Sequence, residues 1–454
     1  MSSEVLVVGG GLAGVTAALR CADEGFRVTL LESRARLGGA AGSFQRGELA
    51  VDTGQHVILR CYTAYRALLR RIGAADEIRL QPRLRIPVLS PTGRPSVLLR
   101  RRLPAPAHFA PALLGYGELG LGDRLGAART AMALRALDPA DPALDEISFG
   151  AWLRSRGESG RAVDALWGLL SVAALNAQPE RASLALAVKV FRTGVLDAPD
   201  AADIGIPSRP LGELHGTVAH RALDTAGVRV LLRTKAAAVR RDEPGWRVPV
   251  RGRGGDDVLN ADSVVLAVPH SHATALLAGL PLPQARRWAG LSAAPIVNVH
   301  VRYDRPVLGE PMAAVLDSPV QWLFDRTSIA GAPHGQYLAI SLSAAHEYLD
   351  RRADEVREVF LPALRDVLPA ARHARVEDFF VTREPRATFD QTPGTGALRP
   401  AADIGPTGLA LAGAWTATGW PDTLEGAVRS GEQAVRVLRT AAGDASRAGV
   451  EVPR

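Results

Sequence analysis

The chain has few of the residues that form covalent or metal cross-links. Its 454 residues include two cysteines, Cys21 and Cys61, which are too few for a disulfide framework. They also fit no zinc site, because a structural Zn²⁺ takes about four Cys or His ligands at short spacings. The sequence therefore predicts a protein of a reducing compartment, and we expect it in the cytoplasm and without a bound metal.

Long apolar runs are missing as well. No stretch of about 18 uncharged apolar residues occurs, which is roughly the length that a transmembrane helix needs. The apolar run Val5–Val8 passes directly into a glycine turn, with no basic segment before it and no cleavage site after it. We therefore expect neither a membrane span nor a signal peptide.

Lysine is scarce, since only Lys189 and Lys235 among the 54 basic residues are not arginine. The net charge of +7 would by itself suit an anionic partner such as nucleic acid or a membrane. However, no Lys/Arg run is longer than Arg100–Arg102, only 5% of residues are aromatic, and no nucleic-acid-binding motif accompanies the charge. The sequence therefore predicts no nucleic-acid partner.

Both ends of the chain have the pattern of a dinucleotide-binding fold. Near the N-terminus, apolar periodicity predicts a strand over 4–8, a helix over 12–24 and a strand over 27–32. Near the other end, it predicts a strand over 409–412 and a helix over 425–440. Parallel strands that alternate with helices are typical of an α/β domain.

The middle of the chain changes character twice. It is predicted to be mostly helical over 57–205, strands return over 227–269 and 293–345, and a helix follows near 351–367. A chain that leaves and re-enters a dinucleotide-binding domain indicates that a second domain is inserted in pieces. The predicted fold is therefore α/β, with a Rossmann-like domain that carries an inserted α+β substrate domain.

The motif Gly9–Gly14 (GGGLAG) joins the first predicted strand to the first predicted helix. In this pattern Gly9 permits a tight turn, Gly11 lets the backbone approach a pyrophosphate, and Gly14 lets the helix pack closely on the strand. The pyrophosphate would face free N–H groups at the helix N-terminus. Glu32 ends the second strand, where its carboxylate can accept hydrogen bonds from a ribose diol. A dinucleotide site is favoured over a glycine turn without a ligand.

The identity of the dinucleotide depends on further motifs. Glu32 disfavours NADP because its charge repels a 2′-phosphate, although Arg34 and Arg36 keep NADP open. The chain continues with RLGG at 36–39, AVDTG at 50–54, LAGAW at 411–415 and GWPDTLEGA at 419–427. These motifs resemble those of the FAD-containing amine oxidase and phytoene desaturase superfamily, and the resemblance implies FAD as the cofactor.

The superfamily resemblance also implies how the chain is divided and which residues hold FAD. The implied segments are an FAD-binding domain over 1–56, 206–270 and 385–440, a substrate-binding domain over 57–205 and 271–384, and a flexible tail over 441–454. The cofactor contacts that we expect are Gly9, Gly11, Leu12, Ala13, Gly14, Glu32, Ser33, Arg36, Gly38, Gly39, Ala236, Gly413, Ala414, Thr423 and Leu424. N–H groups near Thr423 and Leu424 would face the N1/O2 edge of the flavin. Most relatives are acidic at Ala414, so that here backbone contacts replace the carboxylate or FAD is held less tightly.

Motifs in the middle of the chain narrow the resemblance. They are GQHVIL at 54–59, AALN at 173–176, QWLFDR at 321–326 and GWP at 419–421. Together they are similar to the squalene-associated flavoproteins, the hydroxysqualene dehydroxylases of hopanoid biosynthesis, over residues 4–437. The resemblance implies reductive removal of a hydroxyl from hydroxysqualene, a hydride from reduced FAD, and a long apolar isoprenoid substrate. No second nucleotide motif identifies the electron donor.

Several side chains are candidates for the chemistry of such a site. His56 is the leading candidate to protonate or orient the hydroxyl, with Gln55 beside it, and packing under the flavin is an equal alternative. The candidates for substrate binding are Tyr62, Trp322, Phe324 and Trp420. Aromatic faces can stabilise a passing cation, although core packing is the more common role of such residues. Asp325 is most simply the partner of Arg326 or of another arginine.

Segment 95–118 combines Arg100–Arg102 with apolar and aromatic side chains. Such a segment suits an anionic membrane surface, and a solvated loop over the substrate domain is the alternative. Peripheral contact with the inner face of the cell membrane is therefore a hypothesis.

Three other functions stay open at this stage. A polyprenoid desaturase, acting on a substrate such as phytoene, would keep the fold and reverse the direction of electron flow. A flavin amine oxidase is less favoured, because neither lysine lies in a typical flavin position and aromatic residues are few. A non-catalytic flavoprotein that passes lipid to a cyclase would bind a polyprenoid without any change in flavin redox state.

Overall fold

The structure is a computed structural model, which describes residues 3–92 and 95–448. Its central element is a parallel sheet that is built from both ends of the chain. The described strands of this sheet are, in spatial order, Arg229–Leu232, Arg27–Glu32, Glu4–Val8, Ser263–Leu266 and Leu409–Leu411. Val7 in the middle of the sheet lies opposite Leu30 on one side and Val265 on the other, and all three are fully buried. These strands are apolar on both faces because a parallel sheet is covered on both sides.

Two long helices cover one face of this sheet. The helix Leu12–Asp23 follows the first strand, and the helix Leu424–Ala448 packs against it. The strands and helices that were predicted at the two ends of the chain are confirmed, but the last helix extends past the predicted end at Thr440 to Ala448. The remainder of the predicted tail, 449–454, lies outside the described residues.

A second sheet is mixed and contains strands from distant parts of the chain. Its described strands are, in spatial order, Val376–Phe389, Ala293–Tyr303, Gln336–Ser343, Trp322–Asp325, Met312–Val315, Arg85–Leu89 and Ser96–Leu99. The prediction that 57–205 is mostly helical is therefore wrong over 85–99. Short apolar runs such as Arg85–Leu89 do not distinguish a strand from a helix, and pairing with Met312–Val315 decides the matter.

The other described strands form three smaller sheets. The first contains the antiparallel strands Lys235–Ala236, Arg240–Asp242, Gly245–Gly252 and Gly255–Ala261. The second contains Ile58–Leu59, Ile204–Pro207 and Ile78–Leu80, and in the third Ser43–Arg46 pairs with Leu49–Asp52. Two strands cross boundaries that were expected between the domains. Ile204–Pro207 crosses the expected boundary at 206, and Val376–Phe389 crosses the one at 385, where its pairing with Ala293–Tyr303 is irregular between Glu384 and Thr388.

The remaining described helices lie mostly in the inserted region. They are Thr63–Arg71, Ala110–Leu114, Leu121–Arg135, Phe149–Ser155, Gly160–Ala162, Leu169–Leu175, Leu184–Phe191, Ala219–Thr225, His270–Leu276, Ala285–Trp288, Thr327–Ala330 and Ala353–Val367. Wider π-helical turns at Val163–Gly168, Arg192–Leu196 and Glu213–Val218 continue three of these helices. Across 3–92 and 95–448, no helix combines the length and the apolar character that crossing a bilayer requires.

Glu425, in the first turn of the last helix, joins that helix to the inserted region. Its carboxylate is fully buried and accepts hydrogen bonds from the N–H groups of Ala64 (3.1 Å) and Tyr65 (2.8 Å). It thereby caps the helix Thr63–Arg71, and it also pairs with Arg429 at 2.8 Å. A buried carboxylate needs such partners, so the position of one helix fixes the start of the other.

The contact between the two long helices generates a prediction about stability. A Cβ atom at Gly431 would lie 2.4 Å from the carbonyl oxygen of Ala13 and 2.9 Å from Cβ of Thr16. We expect Gly431→Ala to force the helices apart and to lower the free energy of unfolding by about 1–3 kcal/mol. Thermal unfolding of Gly431→Ala beside Gly126→Ala would check this, since the nearest atom to a Cβ at the helical Gly126 is 3.8 Å away. Equal melting temperatures for the two variants would contradict the prediction.

Candidate active site

The glycines of the motif Gly9–Gly14 have different structural tasks. Gly9 has a φ of +111°, and a Cβ there would lie 2.3 Å from the carbonyl oxygen of Ala267. A Cβ at Gly14 would lie 1.8 Å from the carbonyl oxygen of Gly9, so that both positions require glycine for the fold itself. Gly11 differs, because a Cβ there would meet only Cα of Gly39, at 3.8 Å. The space in front of Gly11 is open, as a site for a phosphate group requires.

Glu32 is fixed beside this turn. Its carboxylate accepts hydrogen bonds from the N–H of Gly10 (2.8 Å), the N–H of Arg34 (2.7 Å) and the hydroxyl of Ser33 (3.1 Å). Glu32 is buried, whereas the side chains of Ser33 and Arg36 are exposed next to it. The structure thus places the carboxylate at the end of its strand, next to the first glycine segment, as the motif predicts.

The second glycine pair lies directly opposite the first. Gly38 and Gly39 both have positive φ angles, and a Cβ at Gly39 would lie 3.0 Å from Cα of Gly11. His215 supports this segment from below, since its Nδ1 donates to the carbonyl of Ala41 (2.7 Å) and its Nε2 accepts from the hydroxyl of Tyr65 (2.8 Å). Burial lowers the pKa of His215 to about 4, which keeps the ring neutral. No sequence pattern indicated this supporting role.

A buried arginine shapes the loop before the last helix. The guanidinium of Arg399 donates to the carbonyl oxygens of Ala414 (3.0 Å), Thr416 (2.5 Å) and Trp420 (2.8 Å). Burial lowers its pKa to about 10. Gly413 begins the loop with a φ of +143°. This loop carries the predicted second flavin motif, and sequence patterns missed Arg399 because its partners are backbone oxygens.

One cavity connects these glycine segments with the inserted region. Its volume is about 360 Å³, and at one end it is bounded by Leu12, Gly38, Ala414, Thr423 and Leu424. From there it passes between apolar side chains, which include Tyr62, Leu84, Ile86, Leu98, Phe109, Val190, Phe191, Ile204, Met312, Trp322 and Phe324. The second glycine pair and the start of the last helix therefore border the same cavity as these apolar side chains.

The structure brings most of the predicted substrate residues to this cavity. Gln55, His56, Tyr62, Trp322 and Phe324 line its wall. Trp420 does not line the cavity, in contrast to our expectation. The centre of its ring lies 4.8 Å from Nζ of Lys189 and 5.1 Å from the guanidinium carbon of Arg429, and its plane is nearly perpendicular to the ring of Tyr62. Its π-face is therefore already occupied by cations of the protein.

Two further residues singled out from the sequence lie outside the cavity wall. Ala236 is buried in a short strand opposite Val250, and its contact with FAD stays a prediction. Asp325 does not pair with Arg326. Arg326 instead forms a buried ion pair with Asp52, whereas Asp325 accepts hydrogen bonds from Thr327 and Gln336. Adjacent residues on a strand point to opposite faces, which separates the two side chains.

His56 is held in one orientation at the cavity wall. Its Nδ1 lies 3.1 Å from the carbonyl oxygen of Gly54, which can only accept, so Nδ1 carries the proton. Burial lowers the pKa of His56, and the ring is therefore neutral near pH 7. Nε2 receives no hydrogen bond from the part of the chain that the structure describes. Its lone pair can therefore accept a hydrogen bond from a ligand.

Further polar groups at the cavity were not predicted from the sequence. Asp422 accepts a hydrogen bond at Oδ2 from the N–H of Phe389 (2.9 Å), and burial raises its pKa to about 6. Asn176 has a φ of +51° and accepts from the N–H of Ala344 (2.6 Å). It also donates to the hydroxyl of Thr388 (3.0 Å). Asn176 thus fixes Thr388 on the cavity wall.

Comparison with known proteins identifies the family. A family model described as flavin containing amine oxidoreductase matches residues 12–439, which is most of the chain. The chain belongs to this family. As a flavin oxidoreductase of the family, the protein takes FAD as its cofactor. Hydroxysqualene dehydroxylases of Sinorhizobium fredii and Rhodopseudomonas palustris are each 30% identical to it, over 96% and 97% of this chain and 98% and 99% of their own length.

More distant proteins match over a similar length. A zeta-carotene desaturase of Synechocystis sp. is 23% identical over 96% of both chains. Among solved structures, an oxidoreductase from Methanosarcina mazei superposes with a TM-score of 0.75 at 14% identity and covers 95% of this chain and all of its own. At that identity the superposition shows a shared fold.

The residues of this structure fit FAD. The open space at Gly11 lies at the N-terminus of the helix Leu12–Asp23, where N–H groups can meet a pyrophosphate. At the cavity, Oε1 of Gln55 is buried without a hydrogen-bond donor in the described part of the chain. A buried acceptor of that kind indicates a missing partner. The N–H groups of the helix that begins at Leu424 provide a second positive end.

The contrast between Gly11 and Gly14 generates a prediction about FAD. Gly11 has an extended backbone (φ −76°, ψ 179°) that any residue can adopt, so Gly11→Val should fold while its side chain fills the phosphate space. We expect the variant to retain less than about a tenth of the FAD of the wild type. Absorbance of the purified protein and FAD titration of the apoprotein would measure this. Gly14→Val is the matched control, which should unfold at lower temperature, and full FAD content in Gly11→Val would overturn the prediction.

Proposed function

We propose that the protein reductively removes the hydroxyl group of hydroxysqualene to give squalene. The observation that carries this proposal is the largely apolar cavity, which is bounded at one end by Leu12, Gly38, Ala414, Thr423 and Leu424, the residues that we call the FAD cradle. An isoprenoid hydrocarbon needs apolar walls along its length and polar groups only where its hydroxyl lies. Two hydroxysqualene dehydroxylases with 30% identity over nearly the whole chain support the same substrate.

Each part of the cavity has a task in this reaction. When bound and reduced, FAD supplies a hydride, and the protein positions the allylic carbon to receive it. Nε2 of His56 can accept a hydrogen bond from the substrate hydroxyl and so orient it. A neutral ring with its proton on Nδ1 cannot protonate that oxygen, which removes one of the two roles expected for His56. Trp322 and Phe324 line the wall, where their π-faces would favour a delocalised cation.

The other functions considered from the sequence have less support. A polyprenoid desaturase would use the same cavity, and the zeta-carotene desaturase relative keeps it as the second candidate, at lower identity. A flavin amine oxidase would be favoured by a lysine next to the flavin. Lys189 does not line the cavity, because its Nζ lies over the ring of Trp420, which Arg429 also contacts.

A single-turnover experiment distinguishes the dehydroxylase from the desaturase. The flavoprotein is reduced under anaerobic conditions and mixed with hydroxysqualene, and the flavin absorbance is recorded while products are extracted. We expect the oxidised flavin band to return together with one squalene per flavin. A flavin that stays reduced would contradict the dehydroxylase, and oxidised enzyme that converts phytoene would favour the desaturase. Binding of hydroxysqualene without any redox change would indicate a non-catalytic carrier.

We further propose that the surface around segment 95–118 contacts an anionic membrane. Eight large apolar side chains are exposed among the described residues, and six lie between 97 and 132. These six residues are Val97, Leu103, Leu114, Leu121, Leu125 and Met132, and we call them the apolar patch. Leu98 and Phe109, within the same segment, line the cavity. A lipid substrate could therefore pass from a bilayer at the patch into the cavity.

The basic part of this surface is smaller than the sequence indicated. Arg100 is buried and forms a bidentate pair with Asp203, with N–O distances of 2.6 and 2.7 Å. Arg101, Arg102 and Arg129 are exposed and remain available to anionic lipids. Arg100 is therefore excluded from any test of membrane contact, because its removal takes away one of the two arginines that pair with the buried carboxylate of Asp203.

Flotation with vesicles of phosphatidylglycerol and phosphatidylcholine tests the membrane proposal. We expect the triple variant Leu114→Ser, Leu121→Ser, Leu125→Ser to float less than wild type. Each substitution removes up to about 1.5–3 kcal/mol of the free energy gained when a leucine side chain moves from water into the bilayer. Val258→Ser is the control, since Val258 is also exposed but lies on the hairpin of Gly245–Gly252 and Gly255–Ala261. Unchanged flotation of the triple variant would refute membrane contact by the patch.

A further inference from the structure

We infer that Asp422 is the catalytic acid that protonates the leaving hydroxyl of the substrate, an inference that rests on the proposed dehydroxylation. Loss of a hydroxyl from an allylic alcohol needs a proton donor at the oxygen, since hydroxide is a poor leaving group. His56 is not available for this task, because its proton is on Nδ1 and bonded to the carbonyl of Gly54. The donor must therefore be another group on the cavity wall.

Asp422 is held in position from behind. Its backbone N–H donates to Oε1 of Gln391 (3.0 Å), and the Nε2 of Gln391 donates to the carbonyl of Leu175 (2.6 Å). Gln391 is fully buried, so this support is rigid. Oδ2 of Asp422 accepts from the N–H of Phe389, whereas Oδ1 receives no hydrogen bond within residues 3–92 and 95–448. The second oxygen is thus the one that can carry a proton toward the cavity.

The surroundings of Asp422 favour the protonated form. Burial raises its pKa to about 6, and the cation that faces it, Arg399, lowers the pKa by less than burial raises it. Arg399 is committed to the carbonyl oxygens of the loop and makes no ion pair with Asp422. A carboxyl group with a pKa near 6 matches the usual range of a general acid that works near neutral pH.

The other groups on the wall suit this role less well. Burial raises the pKa of the Tyr62 hydroxyl, which makes it a weaker acid. Glu384 also lines the cavity, but it lies on the long strand Val376–Phe389, whereas Asp422 directly precedes Thr423 and Leu424 at the cradle end. The acid must stand beside the carbon that receives the hydride, and Asp422 is next to the predicted flavin contacts.

The proposed step balances in atoms and electrons. The carboxyl O–H of Asp422 transfers its proton to the substrate oxygen as the allylic C–O bond breaks, and water leaves. The allylic cation then accepts a hydride, with two electrons, from the reduced flavin, which becomes oxidised. Asp422 is left as a carboxylate and regains a proton before the next turnover. The substrate is reduced, and no co-reactant besides reduced flavin and one proton is required.

Two variants and two substrates test the assignment. The variants are Asp422→Asn and Asp422→Glu, and the control is Asp390→Asn, because Asp390 pairs with Arg181 and does not line the cavity. Each reduced protein is mixed with hydroxysqualene and with the analogue in which chloride replaces the hydroxyl, since chloride leaves without a proton. We expect Asp422→Asn to slow flavin reoxidation by hydroxysqualene about 10²–10⁴-fold and to react normally with the chloride. Asp390→Asn should react like wild type with both.

A spectroscopic measurement does not depend on turnover. Infrared difference spectra of the oxidised holoprotein between about pH 5 and pH 8 should contain the band of a protonated carboxyl that is missing in Asp422→Asn. FAD content of the variants should equal that of wild type. If Asp422→Asn does not hold FAD, the ratio of the hydroxyl and chloride rates in Asp422→Glu decides, and an unchanged ratio overturns the assignment.

The outcomes separate the two proposals. Wild type that fails to convert hydroxysqualene would overturn the proposed function together with the assignment of Asp422. Wild type that converts it while Asp422→Asn does so equally fast would overturn only the assignment. The same holds if Asp422→Asn loses both substrates equally, because a group that acts on the leaving oxygen cannot matter for chloride.

Discussion

At Gly11 and Gly39 two backbone segments approach each other so closely that a side chain at Gly39 would crowd the backbone opposite it. A Cβ on Gly39 would lie 3.0 Å from Cα of Gly11, yet the space in front of Gly11 is open. The site depends on this arrangement, because it places the N–H groups of one helix against a gap that a pyrophosphate can fill. Gly14 allows the same helix to pack closely on its strand, and Gly431 allows it to pack closely on the last helix.

Buried polar side chains transmit this geometry to the rest of the site. Glu425 caps the helix Thr63–Arg71, His215 holds the carbonyl of Ala41, and Arg399 holds the loop that follows Gly413. A buried charge or imidazole without a partner is costly, so each group permits one arrangement of its neighbours. Residues that never reach the cavity therefore determine where Thr423 and Leu424 lie on its wall.

Sequence patterns were sufficient where the backbone itself carries the chemistry. The motif Gly9–Gly14, Glu32 and the start of the last helix could be located because turns, strand ends and helix starts have residue signatures. Patterns were insufficient where a side chain from a distant segment supports the backbone. His215 and Arg399 carry no local signature, and Asp422 lies within the motif at 419–427 but was not singled out there. The surroundings of Trp420 were misjudged because its partners Lys189 and Arg429 lie on two separate helices.

The strands over 85–99 illustrate the same limit for the fold. Arg85–Leu89 and Ser96–Leu99 lie in a region whose composition indicates helices, and they become strands because Met312–Val315 offers an edge more than two hundred residues away. That pairing also has a chemical consequence. It turns Ile86 and Leu98 toward the cavity, beside Met312, Trp322 and Phe324.

An apolar wall and a buried acid belong together in the proposed reaction. The same burial that raises the pKa of Asp422 to about 6 also keeps bulk water away from the cation that forms when the hydroxyl leaves. If the wall were polar, the carboxyl would ionise more readily and water would capture the cation, returning the alcohol. A site that removes a hydroxyl without adding it back therefore needs its proton donor inside an apolar chamber, at the end where the hydride arrives, and this chain places Asp422 there.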